Sequence, residues 1–211
     1  MTIPITDIHT HALRLGAVVA AEPLTELAAD SYIYSMGIHP WHTVPPRHDF
    51  TFLEKLCGDP RIVAVGECGI DRLKGAPIPR QEDIFRQHIA ISERLRKPMI
   101  IHCVRAHDII LDIHRETDPR QTWILHGFRR KPDVARQLLD RGIMLSLGPR
   151  FNPETARMIP DDRLLIETDD DPTLTIADVA AAVARAREIP LSALLRLIER
   201  NTARLFTAIG L

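Results

Sequence analysis

Two histidines and an aspartate alternate near the N-terminus, in the segment 5–12, which reads ITDIHTHA. In an extended backbone alternate side chains point to the same side, so Asp7, His9 and His11 share one face of a predicted strand. Two imidazoles on one face can bind a divalent cation, with Asp7 as a third ligand or as a neighbour that orients a ligand. A His-x-His pair is also common at polar strand ends, so the motif needs partners elsewhere.

Four later apolar runs end in residues of the same kinds, namely Glu67 after 61–65, His102 after 98–101, His126 after 122–125 and Asp169 shortly after 163–166. Each one alone could be a polar group that caps a strand. Together with His9 and His11 they form a set of six that packing explains poorly. Four imidazoles and two carboxylates suffice for two divalent ions if one carboxylate bridges them, and Glu67 is the predicted bridge. Two such ions polarise a phosphoryl or carbonyl oxygen and make hydroxide available near neutral pH.

The elements that must position these residues alternate along the chain. Strands are predicted at 3–9, 16–22, 32–38, 61–65, 98–101, 122–125, 143–147 and 163–166, and helices at 48–57, 81–95, 107–116 and 133–141 and twice after residue 169. Strands that are apolar nearly throughout and alternate with helices indicate a parallel sheet covered by helices. An open doubly wound sheet and a closed barrel both meet this description. Polar residues at the ends of five strands favour the α/β TIM-type barrel, whose strand ends converge on one mouth.

Length, charge and cysteine content bound the class of protein. A chain of 211 residues, 45% of them hydrophobic, is predicted to form one domain, 1–211. It is short for a barrel of about 250 residues, and the missing length predicts trimming or distortion around the second strand. The formal charge of −1 excludes a global basic field, so polyanion binding must be local. Three unpatterned cysteines, no evident secretory signal and no long apolar run predict a cytoplasmic protein without a membrane span.

The motifs taken in order resemble the TatD family of metal-dependent hydrolases, whose members include deoxyribonucleases. The matching pieces are DIHTH at 7–11, GIHP at 37–40, GECGID at 66–71, RQ at 80–81 with Phe85 and Gln87, KPMIIHC at 97–103, HGF at 126–128, ETD at 167–169 and NTARLF at 201–206. The resemblance implies a TIM-type barrel with two metal ions. It also implies His9, His11, Glu67 and Asp169 around one ion, and Glu67, His102 and His126 around the other. Asp169 and Glu67 are the expected catalytic residues, with Asp169 as the general base.

The chain departs from the family pattern in the loops that face the substrate. The segment between His11 and Gly37 is short, the family's Pro-Tyr and Arg-rich loop is missing after Asp169, and Val104 stands where an arginine is frequent. The chain is thus a short member that keeps every metal ligand. The expected substrate contacts are His39, Arg105 and Arg129, and the expected outer hydrogen-bond partners of the ligands are Asp7 and Asp71. Histidines 48, 88, 107 and 114 are expected to lie on the surface or to pack between helices.

The predicted function is hydrolysis of phosphodiester bonds at DNA ends or in short oligonucleotides, with no obligate protein partner. An alternative is amide or lactone cleavage, as in amidohydrolases with related barrels, although these commonly use a carbamylated lysine where this chain has Glu67. A third possibility is a metal-binding interaction protein that has lost catalysis. The two ions are expected to be Zn²⁺, Mn²⁺, Fe²⁺ or Mg²⁺, since imidazole and carboxylate ligands suit several divalent metals.

Overall fold

Eight parallel strands form a nearly closed barrel in the computed structural model, which describes residues 4–44 and 48–206. They follow each other around the sheet in sequence order as β1 Asp7–Thr10, β2 Ala17–Ala21, β3 Ile33–Met36, β4 Ile62–Asp71, β5 Met99–Val104, β6 Trp123–Leu125, β7 Met144–Leu147 and β8 Leu164–Ile166. A bridge between Thr10 and Asp169 brings the last strand beside the first. The TIM-type barrel is therefore confirmed.

Seven α-helices accompany the strands within the described residues. They are α1 Phe50–Cys57, α2 Ile78–Leu95, α3 His107–Thr117, α4 Pro132–Leu139, α5 Pro153–Met158, α6 Ile176–Arg187 and α7 Leu191–Phe206, with 3₁₀ helices at Pro40–His42 and Asp161–Arg163. Helix α5 was not predicted, because its six residues are too few to show helical periodicity. No helix among the described residues is both long and apolar enough to cross a membrane.

The connections on both sides of β2 contain no helix, so the predicted trimming around the second strand is confirmed. The face of β2 that carries Val19 is nevertheless buried. Leu27 and Tyr32, from the connection between β2 and β3, pack against the cluster that contains Val19. The Tyr34 hydroxyl accepts a hydrogen bond of 2.9 Å from the Ala28 amide, which ties this connection to β3. An ordered loop thus replaces the missing helix.

Two hydrophobic clusters correspond to the two faces of the strands. The smaller cluster contains Ile100, Ile124 and Leu165, while their strand neighbours belong to the larger cluster that the helices cover. Side chains two positions apart share a face. His102, His126 and Glu167 come two positions after Ile100, Ile124 and Leu165, respectively. They therefore also lie on the inner face, at the carboxyl end of the barrel.

Strands β4 and β5 extend further than predicted, to Asp71 and Val104. Their polar and glycine-containing ends resemble loops in composition. Gly66 and Gly69 have φ values of +138° and +142°, and a β-carbon on either would collide with a carbonyl oxygen of β5. These two glycines let the strands approach closely and continue pairing. Glu67 and His102 consequently lie inside strands and not at their ends.

Candidate metal centre

Glu67 is the centre of the cluster of imidazoles at the barrel mouth, and its side chain is only 5% exposed. Its Oε2 atom lies 3.2 Å from His9 Nε2 and 3.6 Å from His11 Nε2. Its Oε1 atom lies 2.7 Å from His102 Nδ1 and 2.8 Å from His126 Nε2. The two oxygens of one carboxylate thus face two different sets of imidazoles.

Asp169 completes the group on the His9 side. Its Oδ1 atom lies 3.7 Å from His9 Nε2 and 3.8 Å from His11 Nε2. The Asp169 amide donates to the His9 carbonyl (3.0 Å), and the Asp169 carbonyl accepts from the His11 amide (3.1 Å), so pairing with β1 holds its backbone. Its φ of 58° lies in the left-handed region, which aspartate enters more readily than most residues. His11 is 48% and Asp169 24% exposed, so this side of the cluster opens to solvent.

The electrostatics of the cluster favour an ionised carboxylate at its centre. Burial alone raises the pKa of Glu67, but His126 and His9, together with hydrogen bonds from His102 and His126, bring that pKa well below its usual range. Burial lowers the pKa of His126, whereas Glu67 and Glu167 raise it by more, so that it lies well above its usual value. A buried carboxylate surrounded by imidazole nitrogens offers the kinds of donor that divalent cations bind.

The donor set fits one or more divalent cations. Three overlapping groups of donor atoms lie within 4.8 Å of one another, formed by His9, His11 and Glu67, by His9, His126 and Asp169, and by His39, Glu67 and His102. Both ring nitrogens of His9 are buried without a hydrogen-bond partner, since the contact from Nε2 to Glu67 lacks hydrogen-bond alignment. Imidazole and carboxylate donors suit Zn²⁺, Mn²⁺ or Fe²⁺.

His39, which was predicted to contact substrate, lies at the cluster itself. Its Nε2 atom is 3.1 Å from Glu67 Oε1 and 3.3 Å from His102 Nδ1, and its side chain is 12% exposed. His39 therefore belongs to the same group of donors as Glu67 and His102.

Asp71 lies behind His102, at 3.2 Å from Asp71 Oδ2 to His102 Nε2. The same oxygen accepts a hydrogen bond of 2.6 Å from Trp41 Nε1. The Gln81 amide bonds both the N–H and the carbonyl of Asp71, which fixes the backbone at the end of β4. These contacts support the predicted role of Asp71 as an outer partner of a ligand.

Asp7, a predicted outer partner, contacts the residue before Asp169, and Glu167 contacts His126. Both oxygens of Asp7 accept hydrogen bonds from Thr168, at 3.1 Å from its amide and 2.7 Å from its hydroxyl, and burial raises the pKa of Asp7 to about 6. Asp7 thus positions the residue before Asp169. The fully buried Glu167 was not predicted; its Oε1 lies 3.2 Å from His126 Nδ1 and accepts from the Gly127 amide at 2.6 Å. Its position two residues after Leu165 could have indicated this, because alternate residues of a strand share a face.

His88 has a structural role that was not predicted. It is fully buried on α2, where Nε2 accepts a hydrogen bond of 2.9 Å from the Ile38 amide and Nδ1 lies 2.8 Å from the Ile84 carbonyl. This arrangement holds the backbone immediately before His39. No local pattern indicates it, because Ile38 and His88 are 50 residues apart in sequence.

His88 should make the folded state sensitive to acid. Burial lowers the pKa of His88 from 6.5 to about 4. Its contribution is complete above pH 6.5 and is lost as the pH falls towards 4, because the unfolded chain takes up a proton that the folded chain excludes. The loss amounts to about 3 kcal/mol in the free energy of unfolding.

The variant His88→Gln keeps an acceptor for the Ile38 amide but cannot titrate. Urea unfolding of both proteins at pH 4.5, 5.5 and 7 should therefore show a smaller dependence on pH for the variant. Equal pH dependence in the two proteins would contradict the assignment.

A cleft of about 910 Å³ leads from the cluster to the surface. The predicted substrate contacts Arg105 and Arg129 line it, and both are exposed. Arg130 lines it as well, and so does Arg150, which was not predicted. Trp41 stands at the edge with 43% exposure, and Lys74 Nζ lies 3.8 Å from the centroid of its ring.

Eight parallel strands with histidines and carboxylates converging at their carboxyl ends define a TIM-type barrel with a candidate metal centre. The family model described as "TatD related DNase" matches residues 5–207, and the chain belongs to the TatD family.

The relatives agree with this membership. The uncharacterized metal-dependent hydrolase YcfH of Escherichia coli K12 is 30% identical over 198 residues, covering 84% of this chain and 74% of its own. A Musicola paradisiaca protein named "3'-5' ssDNA/RNA exonuclease TatD" is 31% identical, covering 75% of this chain and 61% of its own. Two other relatives are matched over 55% and 49% of their length, so this chain spans about half of them. The crystal structure of YjjV, a TatD homolog from E. coli, superposes with a TM-score of 0.82 at 21% identity over 98% of this chain and 99% of YjjV, which is a likeness of fold.

Proposed function

We propose that the chain is a metal-dependent phosphodiesterase that cleaves DNA ends or short oligonucleotides. The observation that carries the proposal is the position of Glu67, whose two oxygens face separate sets of imidazoles. A carboxylate placed in this way is suited to bridge two cations. The similarity to a relative named as a single-strand exonuclease supports a polynucleotide end as the substrate.

The residues would divide between two ions. His9, His11, Glu67 and Asp169 would hold the first, and Glu67, His102 and His126 the second. When bound, the ions would polarise the phosphoryl oxygen and make hydroxide available near neutral pH. Their identity is proposed to be Zn²⁺, Mn²⁺, Mg²⁺ or Fe²⁺.

The side chains around the ligands supply the remaining steps. Asp169 Oδ1 takes a proton from the attacking water, which can reach it because this carboxylate is 24% exposed. His39 and the cleft residues Arg105 and Arg129 bind the phosphates of the substrate. Glu167, through its contact with His126 Nδ1, fixes the orientation of that ring.

The amide or lactone alternative receives less support from the site. The buried lysine, Lys97, donates to the carbonyls of Cys57 and Asp59 and so is not available for carbamylation as a bridge. The alternative of a lapsed interaction protein is weakened by the complete donor set. The three cysteines are free, which is compatible with the proposed cytoplasmic location.

Assays of metal-loaded protein would separate the three functions. We expect hydrolysis of single-stranded oligonucleotides and slower hydrolysis of simple phosphodiesters, with no turnover of amides or lactones. Turnover of a lactone alone would favour the amidohydrolase alternative, and metal binding without any turnover would favour the interaction protein.

Binding should be weak and only modestly dependent on salt. Four arginines line the cleft, and each phosphate neutralised on a single strand adds about 0.7 to the salt slope, so the slope should not exceed about 3. Fluorescence anisotropy with an inactive Asp169→Asn variant, on single- and double-stranded DNA over a salt series, measures this. Tight duplex binding with a slope of many units would contradict it.

A further inference from the structure

The arginines of the cleft all lie on one side of it. The strands follow each other in sequence order, so the connections after β5, β6 and β7 are neighbours on the rim. They carry four exposed arginines that line the cleft, namely Arg105, Arg129, Arg130 and Arg150. Within the described part of the chain none of the four lies within salt-bridge distance of a carboxylate, unlike the exposed Arg72, whose guanidinium is 2.8 Å from Asp108. Their charges are therefore free to meet phosphates.

The opposite side of the cleft carries a carboxylate. Glu22 follows β2 and is 42% exposed, and His42 in the 3₁₀ helix after β3 is 60% exposed. His42 Nδ1 lies 2.5 Å from Glu22 Oε1. The Glu22 amide donates to the Thr25 hydroxyl (3.0 Å) and the Thr25 amide to the Glu22 carbonyl (2.8 Å), so the start of this helix-free loop is ordered.

The Glu22–His42 pair stands just outside the metal centre. The ring of His42 is 5.9 Å from the ring of His39, and His39 Nε2 is 3.1 Å from Glu67 Oε1. The cluster thus lies between a wall of arginines and a wall that carries Glu22, and the exposed Asp170, which follows β8, lines the cleft between the two. A polyanion that enters this cleft meets attraction on one side and repulsion on the other.

We propose that the cleft binds a single strand in one direction. The phosphates of the part of the strand that stays intact after cleavage lie along the arginines, and the terminal nucleoside lies against Glu22 and His42. The inference rests on the proposed function. A terminal nucleoside that ends in a hydroxyl carries no terminal phosphate charge, and its hydroxyl can donate to the Glu22 carboxylate. A terminal phosphate would bring a second anion beside that carboxylate. The Glu22–His42 pair is therefore a specificity determinant for unphosphorylated ends.

The test compares kcat/KM for three oligonucleotides of one sequence. One has hydroxyls at both ends, one has a phosphate at the 3′ end only, and one has a phosphate at the 5′ end only. The wild-type protein should cleave one hydroxyl end at least about tenfold faster than the matching phosphorylated end. Glu22→Gln keeps an acceptor for His42 but removes the charge. It should raise the rate on the phosphorylated end and lower that on the hydroxyl end a few-fold, so that the preference largely disappears.

Two further variants make the result specific. Glu26→Gln removes a charge from the same loop at an exposed position outside the lining of the cleft, and it should leave the preference unchanged. Arg150→Gln should lower binding of all three oligonucleotides equally and reduce the salt slope by about 0.7.

The outcomes separate the two ideas. If the wild-type protein cleaves oligonucleotides without preference between the ends, or if Glu22→Gln behaves like Glu26→Gln, the inference is wrong and the proposed function stands. If the wild-type protein neither binds nor cleaves any oligonucleotide, the proposed function fails and the inference fails with it.

Discussion

Replacing Asp169 by asparagine should lower kcat by about 10²–10⁴-fold, the usual contribution of a general base. Asp169 Oδ1 is placed beside His9 and His11 but remains partly exposed, so it can both approach an ion and meet water. Asparagine is nearly isosteric and also tolerates the left-handed backbone of this position, where φ is 58°. The fold should therefore survive while the proton acceptor is lost. Steady-state kinetics on a single-stranded oligonucleotide, with a thermal unfolding curve, measures both quantities.

Asp170→Asn is the matched control for this experiment. It removes the adjacent, exposed carboxylate of the same loop, and we expect activity close to that of the wild-type protein. Near-normal kinetics in Asp169→Asn would rule out the role of general base. Equal losses in the two variants would indicate a general effect of negative charge at this rim.

Replacing Glu67 by alanine should disturb both ion sites, whereas His9→Ala should weaken mainly one. Glu67 faces His9 and His11 with one oxygen and His102 and His126 with the other, so its removal takes a donor from each group. It also leaves the buried rings of His9 and His126 without the carboxylate that compensates them. The loss of affinity should exceed the 10–100-fold that outer-partner changes typically cost.

Calorimetric titration with Zn²⁺ or Mn²⁺ would follow the number of ions bound. We expect up to two for the wild-type protein, about one at high affinity for His9→Ala and none at high affinity for Glu67→Ala. Circular dichroism of each variant checks that the barrel is retained. Loss of the same single ion in both variants would contradict the bridging role of Glu67.

The sequence by itself determined the class of fold and the candidate donors. Apolar runs separated by helical periodicity define a parallel sheet, because a strand buried on both faces has almost no polar positions. The donors His9, His11, Glu67, His102, His126 and Asp169 were visible because polar residues interrupt or follow those runs. The missing length around β2 was visible from the short spacing between residues 11 and 37. These are local properties, set by composition and spacing.

Only the tertiary structure decided which residues support and surround the cluster. The contact of Glu167 with His126 joins residues 41 apart, and that of His88 with Ile38 joins residues 50 apart. The extension of β4 and β5 depends on two glycines meeting carbonyl groups of a neighbouring strand. The pairing of Glu22 with His42 depends on β2 and β3 being adjacent, and the arginine wall depends on the order of β5, β6 and β7 around the barrel. Such contacts join segments that are distant in sequence, so the spacing of residues along one segment does not predict them.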